Sequence, residues 1–383
     1  EDDNSEETAK WVTAQNEVTF AYLRSIEARG AIEGRLTELW DYERIGTPYK
    51  VGDRYFYSRN TGLQNQSVLY SAESLDAKPQ LLLDPNTLSE DGTVALSGYS
   101  VSEDGNFLAY AISRSGSDWK EWKVREIATG KDLDDHVRWS KFSGASWAAD
   151  HSGFYYSRYD EPEEGDEFSA TNYFQKLYFH ELGTPQSADR LVYERPDEKK
   201  WGFGGYATED GEFLVISVRR GSASDNAVFY QRLTGGGAEP APVVELLPDF
   251  DAKYDFVGND GDVFWFKTDL EAPRGRLLAI DIGKPEREHW REIIPQSKDT
   301  LSRVSAVGDQ FVASYMQDAH TVVRRVGLDG GSLGEIKLPG IGTARGFGGR
   351  REHGETFYSF TSFTAPPTIY RYNFDEGEST VFR

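Results

Sequence analysis

The 383-residue sequence has no cysteine, a single methionine and only six histidines. Without cysteine there can be no disulfide, no thiolate metal ligand and no cysteine nucleophile. No stretch approaches the ~18 consecutive apolar residues that a membrane-crossing helix needs, so no membrane partner is expected. The start, Glu1-Asp2-Asp3, carries no secretory leader and reads like the interior of a longer chain, its extreme N-terminus trimmed. The compartment stays open between cytoplasm and periplasm. Positive charge is also short: 42 Lys and Arg face 64 Asp and Glu, for a net charge of −22. A surface of that sign repels phosphate backbones, which argues against a nucleic-acid partner. The histidines (His136, His151, His180, His289, His320, His353) are scattered, with no His-Glu-x-x-His or His-x-His among them. The pattern therefore offers no zinc site, and no cofactor is expected. A Gly-x-Ser-x-Gly nucleophile elbow is absent as well.

What the sequence has is aromatic residues and glycine: nine Trp, 21 Tyr, 22 Phe and 38 Gly. Aromatic rings suit pleated, half-buried surfaces, and the glycines, many in Asp-Gly pairs, imply frequent tight turns. From about residue 46 one unit recurs: a turn, an aromatic-rich strand, a polar gap and a second strand. The first strand of the unit falls in segments starting at Val51, Val101, Trp147, Ala207, Val257, Val307 and Gly354. Its partners are Val68–Tyr70, Trp122–Val124, Lys176–Phe179, Val228–Tyr230, Arg276–Ala279, Val322–Arg325 and Thr368–Arg371. Strand pairs at a period of 40–50 residues, with no helices between, are the mark of propeller blades. Residues 46–383 divide into seven units of roughly 48 residues, so the expected fold is all-β, a seven-bladed β-propeller.

Residues 1–45 differ and predict a short N-terminal α-helical segment. Ser5-Glu6-Glu7-Thr8 has a capping hydroxyl followed by acids. Val18, Tyr22 and Ile26 share one apolar face with Trp11 and Leu23, and Gly30 and Gly34 are expected to interrupt the helix. The acidic insertion Asp160–Glu167 reads as a solvated loop without the ordered ligand spacing of a calcium site. Gly202-Phe-Gly-Gly205 and Gly346-Phe-Gly-Gly349 do not stand between a strand and a helix. They read as tight strand packing near the propeller axis rather than as phosphate cradles.

Several stretches resemble the prolyl oligopeptidase family of serine peptidases. The strongest runs Trp40-Asp-Tyr-Glu-Arg-Ile-Gly-Thr-Pro-Tyr-Lys-Val-Gly-Asp-Arg-Tyr-Phe-Tyr57 and continues into Asn60-Thr-Gly-Leu-Gln-Asn-Gln-Ser-Val-Leu-Tyr70. Others are Gln175-Lys-Leu-Tyr-Phe-His-Glu-Leu-Gly-Thr184, Phe360-Thr-Ser-Phe-Thr-Ala-Pro367 and the lead-in Trp11-Val-Thr-Ala-Gln-Asn16. The resemblance implies a proline-specific serine endopeptidase whose α/β-hydrolase domain would follow Arg383 and carry the Ser, Asp and His. None of the three is assigned to this chain, and residues 1–45 would belong with that domain. The propeller would be a gate that admits proline-containing peptides and excludes folded proteins, opening where its first and last blades share no strand. Matched motif by motif, Phe142 and Phe203 would line the pocket for the third residue upstream of the cut. Arg219 would hold a peptide carbonyl or carboxylate, and Ser222 would stand where some relatives have cysteine.

Two other readings come from the propeller alone, since one architecture serves many functions. One is a stand-alone interaction or scaffold module; the other is a propeller enzyme with an axial metal.

Overall fold

Each copy of the repeat folds into one antiparallel sheet in the computed structural model, which describes residues 5–163, 165–167, 171–233 and 241–383. The acidic insertion is thus only partly within the described residues, Glu164 lying outside them. Seven sheets follow one another over residues 44–83, 94–140, 146–193, 201–247, 254–294, 300–336 and 343–381, here blades 1 to 7. Six have four strands in chain order; blade 1 has five, because Arg44–Ile45 and Tyr49–Val51 both pair with Arg54–Asn60. Blade 1 therefore begins at Arg44, slightly before the expected start at 46.

The two strands legible in each repeat are the second and third of its blade. Phe107–Arg114 with Lys120–Glu126 and Phe213–Arg220 with Asn226–Arg232 are examples; three of these four are buried along most of their length, and Lys120–Glu126 buries Trp122 and Val124. The hairpins that precede the second strands reuse one chemistry. Ser102 and Thr208 hydroxyls bond Asp104 and Asp210, and Gly105 and Gly211 follow at φ of +70° and +69°. A side chain there would strain the turn, which is why Asp-Gly marks it.

Six apolar clusters join successive blades, and each takes residues from two neighbours. Phe56 and Leu83 of blade 1 meet Leu108 and Tyr110 of blade 2. Trp122 meets Phe154 between blades 2 and 3, and Tyr155 meets Leu214 between blades 3 and 4. Phe213 with Phe264, Trp265 with Phe311, and Val323 with Tyr358 continue the series to blade 7. Among the described residues no such cluster joins blade 7 to blade 1, and no strand is exchanged between them. That seam is polar: the Tyr55 hydroxyl donates to Glu355 at 2.5 Å, Arg371 binds the same carboxylate, and the Tyr55 ring meets the edge of Phe357.

Arginines tie the ring across its axis. Arg350, just past the first strand of blade 7, donates to Glu103 of blade 2 at 2.7 Å. Arg351 reaches Asp309 of blade 6 at 2.7 Å and Asp260 of blade 5 at 3.1 Å. Behind them, a cavity of about 360 Å³ is lined by Tyr206, Tyr254, Phe256 and Ala306 from three adjacent blades.

The N-terminal segment forms two helices, α1 (Glu6–Ser25) and α2 (Arg29–Trp40). The Ser5 hydroxyl accepts from the Thr8 amide at 3.1 Å and caps α1. The expected interruption falls elsewhere. The chain leaves the helix at Ile26, and Gly30 and Gly34 both lie inside α2. A helical glycine costs only about 1 kcal/mol, and nothing within 4 Å presses on either one. No residue of either helix is buried, and Trp11, Tyr22 and Trp40 are more than half exposed. No helix among the described residues is long and apolar enough to cross a membrane.

Candidate functional site

The first strand of blade 4, Trp201–Ala207, pairs with Phe213–Arg220 in a register that sets Gly202 against Arg219 and Ala207 against Leu214. Arg219 therefore lies at one end of the blade, and the Thr208–Gly211 hairpin lies at the other. Arg351, whose backbone amide reaches toward Glu209 of that hairpin, marks the opposite end from Arg219.

The Arg219 side chain crosses its own strand pair over Gly202. A Cβ at 202 would stand 2.8 Å from Arg219 Nε and 2.9 Å from Gln175 Oε1, so glycine here makes room for the guanidinium. From this position Nη2 donates to the Phe142 carbonyl at 2.9 Å and to Gln175 Oε1 at 3.1 Å. The guanidinium carbon is 5.9 Å from the centre of the Phe142 ring, within cation–π range.

Phe142 follows the last strand of blade 2 and is 50% exposed, with φ of +53°. Trp139, three residues earlier, has φ of +61°. Two bulky residues in the left-handed region cost of order 1–3 kcal/mol each and persist only where surroundings hold them. Here the neighbours are visible. Ser140 donates to the Ser157 carbonyl, and Ser143 accepts from the Ser157 amide at 2.8 Å. Lys141 is buried, with Nζ 3.9 Å from the centre of the Trp119 ring and bonded to Asn172; burial pushes its ammonium below the usual lysine range. Trp119 also meets Trp139 and Tyr159 edge-on. Burial raises the Tyr159 phenol, and Arg219 beside it pulls in the opposite direction.

The four residues singled out from sequence are not equivalent. Phe142 and Arg219 are in contact, and both reach the surface. Phe203 is 1% exposed, its ring set edge-on to Tyr193 in the core between blades 3 and 4. What it offers the site is backbone: its amide donates to Gln175 Oε1 and its carbonyl accepts from Ser157. Ser222 is exposed in the turn between the second and third strands of blade 4. Sequence reasoning passed over Gln175, Tyr159 and the Trp119–Trp139 pair. Gln175 did stand at the head of a quoted motif, but nothing in one sequence marks a glutamine there as buried.

A seven-bladed propeller with a polar seam, and with an arginine–phenylalanine pair at one end of its blades, is the class of ring-shaped domain that this geometry defines. The whole chain, residues 1–383, matches the profile described as prolyl oligopeptidase, N-terminal beta-propeller domain. The chain belongs to that family. A prolyl endopeptidase of Elizabethkingia miricola is 37% identical over 383 residues, which is 100% of this chain and 53% of that protein. Among solved structures, one from a study of two prolyl endopeptidases and their inter-domain dynamics has a TM-score of 0.82 at 38% identity. It covers 98% of this chain and 54% of that one. Prolyl oligopeptidase B from Galerina marginata, bound to a 25mer macrocyclization substrate, has a TM-score of 0.91 at 26% identity, covering 100% and 56%. The chain thus spans about half the length of the relatives it matches.

Proposed function

We propose that this chain is the substrate-selecting propeller of a longer serine endopeptidase that cleaves short peptides after proline. The single observation that carries the reading is the Arg219–Phe142 pair, a fixed cation beside an exposed aromatic ring at one end of the blades. A guanidinium held by two carbonyl-type acceptors keeps donors free for a peptide carbonyl or carboxylate. The ring beside it suits an apolar side chain three residues upstream of the cut. Phe203 supports this pocket from behind through its backbone, and Ser222 flanks it on the neighbouring turn.

Residues 1–45 fit the same reading. Helices with no buried residue and several exposed apolar ones need a cover, and the hydrolase domain of the longer protein would supply it. The covalent chemistry would also lie there, and the propeller would control which peptides reach it. The stand-alone scaffold reading leaves those helices unexplained.

The test compares this chain with the longer polypeptide. A succinyl-Gly-Pro reporter should be cleaved by the longer protein and untouched by residues 1–383 alone. Turnover by the isolated propeller would refute this division of labour.

A further inference from the structure

The three stretches that meet at the candidate site come from different blades, and one side chain holds them together. Gln175 precedes the third strand of blade 3 and is 1% exposed. Its Oε1 accepts from the Phe203 amide at 2.7 Å and from Arg219 Nη2 at 3.1 Å. Its Nε2 donates to the Lys141 carbonyl at 2.8 Å, one residue before Phe142. A buried primary amide has one acceptor and two donors that need partners. Here the acceptor serves two donors while a donor pins the strained segment that carries Phe142.

From this geometry we infer that Gln175 is a positioning residue for substrate selection, acting through Arg219 and Phe142 rather than by touching peptide. The inference rests on the pocket reading above. Arg219 has many rotamers, and its side chain would sample several of them if one acceptor were lost. The amide oxygen fixes the guanidinium over Gly202 through Nη2, so guanidinium donors remain for a peptide. The Nε2 bond to Lys141 sets the height of the Phe142 ring beside it. Neither task requires contact with substrate; the first needs the acceptor and the second the donor.

The experiment uses the longer protein and two reporters, acetyl-Gly-Pro and acetyl-Phe-Gly-Pro, which differ by the third residue upstream of the cut. The readout is the ratio of kcat/KM for the longer reporter to that for the shorter one. Gln175→Met keeps length and volume but removes every hydrogen bond, and the ratio should fall about tenfold, mainly through KM. Gln175→Glu keeps both acceptor contacts and loses only the donor to Lys141, so its ratio should stay within about threefold of the parent. A residue that only packed would give the reverse order, since methionine fits the space and glutamate sets a carboxylate against a carbonyl. Should Gln175→Met fail to fold, the glutamate variant decides alone. A ratio as low as that of Arg219→Ala would overturn the inference. If Phe142→Ala and Arg219→Ala lower the ratio while Gln175→Met does not, Gln175 is not a positioning residue. If neither Phe142→Ala nor Arg219→Ala lowers it, the pocket reading fails first and takes this inference with it.

Discussion

The seam between blades 2 and 3 contains a charged histidine whose removal gives a pH signature. His180 is fully buried, with Nδ1 2.7 Å from Asp189 and Nε2 3.0 Å from Asp135. Both ring nitrogens face carboxylates, so both carry protons. Burial alone would lower its pKa, but the hydrogen bonds it donates to the two carboxylates more than reverse this and raise it from 6.5 to about 9. Asp135 comes from the outer strand of blade 2, while His180 and Asp189 belong to blade 3. Tyr156 and the Gly183 amide donate to the same carboxylates, and among the described residues Asp135 Oδ2 has no hydrogen-bond partner.

A rise of that size corresponds to about 3 kcal/mol of folding stability at full protonation. The folded pKa lies above the unfolded one, so the contribution is complete below pH about 6.5 and lost as pH rises through about 9. Asp135 has a lowered pKa and acts in the other direction, its share disappearing only in acid. His180→Gln should cost roughly 3–5 kcal/mol at pH 6, because it leaves two buried carboxylates without their cation. Urea unfolding followed by tryptophan fluorescence at pH 6, 7.5 and 9.5 measures this. Between pH 6 and 9.5 the gap between parent and variant should narrow by about 3 kcal/mol. Other groups titrate in that range, but they cancel in the difference. A gap that stays constant with pH would show that His180 is neutral in the folded protein, and the account of this seam would be wrong.

Two further outcomes follow from the geometry. Tyr55→Phe removes the phenol that bridges blade 1 to Glu355, a phenol kept protonated because burial, with the Glu355 bond adding, pushes its pKa up to about 12. The loss should be about 1 kcal/mol. Hydrogen exchange should quicken in Arg54–Asn60 and Glu355–Ser362 before any other strands, and a change spread evenly round the ring would contradict a weak seam. Gly202→Ala places a Cβ against Arg219 and Gln175. It should displace the guanidinium at a stability cost near 1 kcal/mol, since a flexible side chain can move aside. A crystal structure of the variant with Arg219 still bonded to Phe142 would refute that explanation of the glycine.

The fold was legible because each blade repeats its two most buried strands, and those carry the aromatic signal. The outer strands were not. Gln80–Leu83, Val244–Leu247 and Arg291–Ile294 have four residues each, with only the last two buried, too short for alternation to register. Phe142 and Arg219 were singled out because they sit in motifs that resemble a family. Phe203 was singled out for the same reason, although its ring faces the core. Gln175 and the His180 bridge escaped because their meaning lies in partners 28 to 45 residues away in sequence. A buried polar group is defined by the neighbours that satisfy it, and those neighbours come from other blades.

The placement of site and seam on one ring has a mechanical consequence. Phe142, Gln175, Phe203 and Arg219 are built on blades 2 to 4, where apolar clusters and the His180 bridge back each interface. The interface without such backing lies between blades 7 and 1, separated from the site by blade 1 on one side and by blades 5 to 7 on the other. Local opening is drawn from regions with few buried apolar contacts, so the ring should part at the polar seam first. Phe142, Gln175, Phe203 and Arg219 would keep their geometry while it does, because none of their hydrogen bonds crosses that seam. The cross-axis ion pair of Arg351 with Asp309 is solvent-facing, individually weak and screened by salt, and that of Arg350 with Glu103 is partly buried. The two arginines join blade 7 to blades 2, 5 and 6 without sealing its edge against blade 1. The chain thus separates the Arg219–Phe142 pair from its least apolar interface, and it does so by where it places its apolar residues.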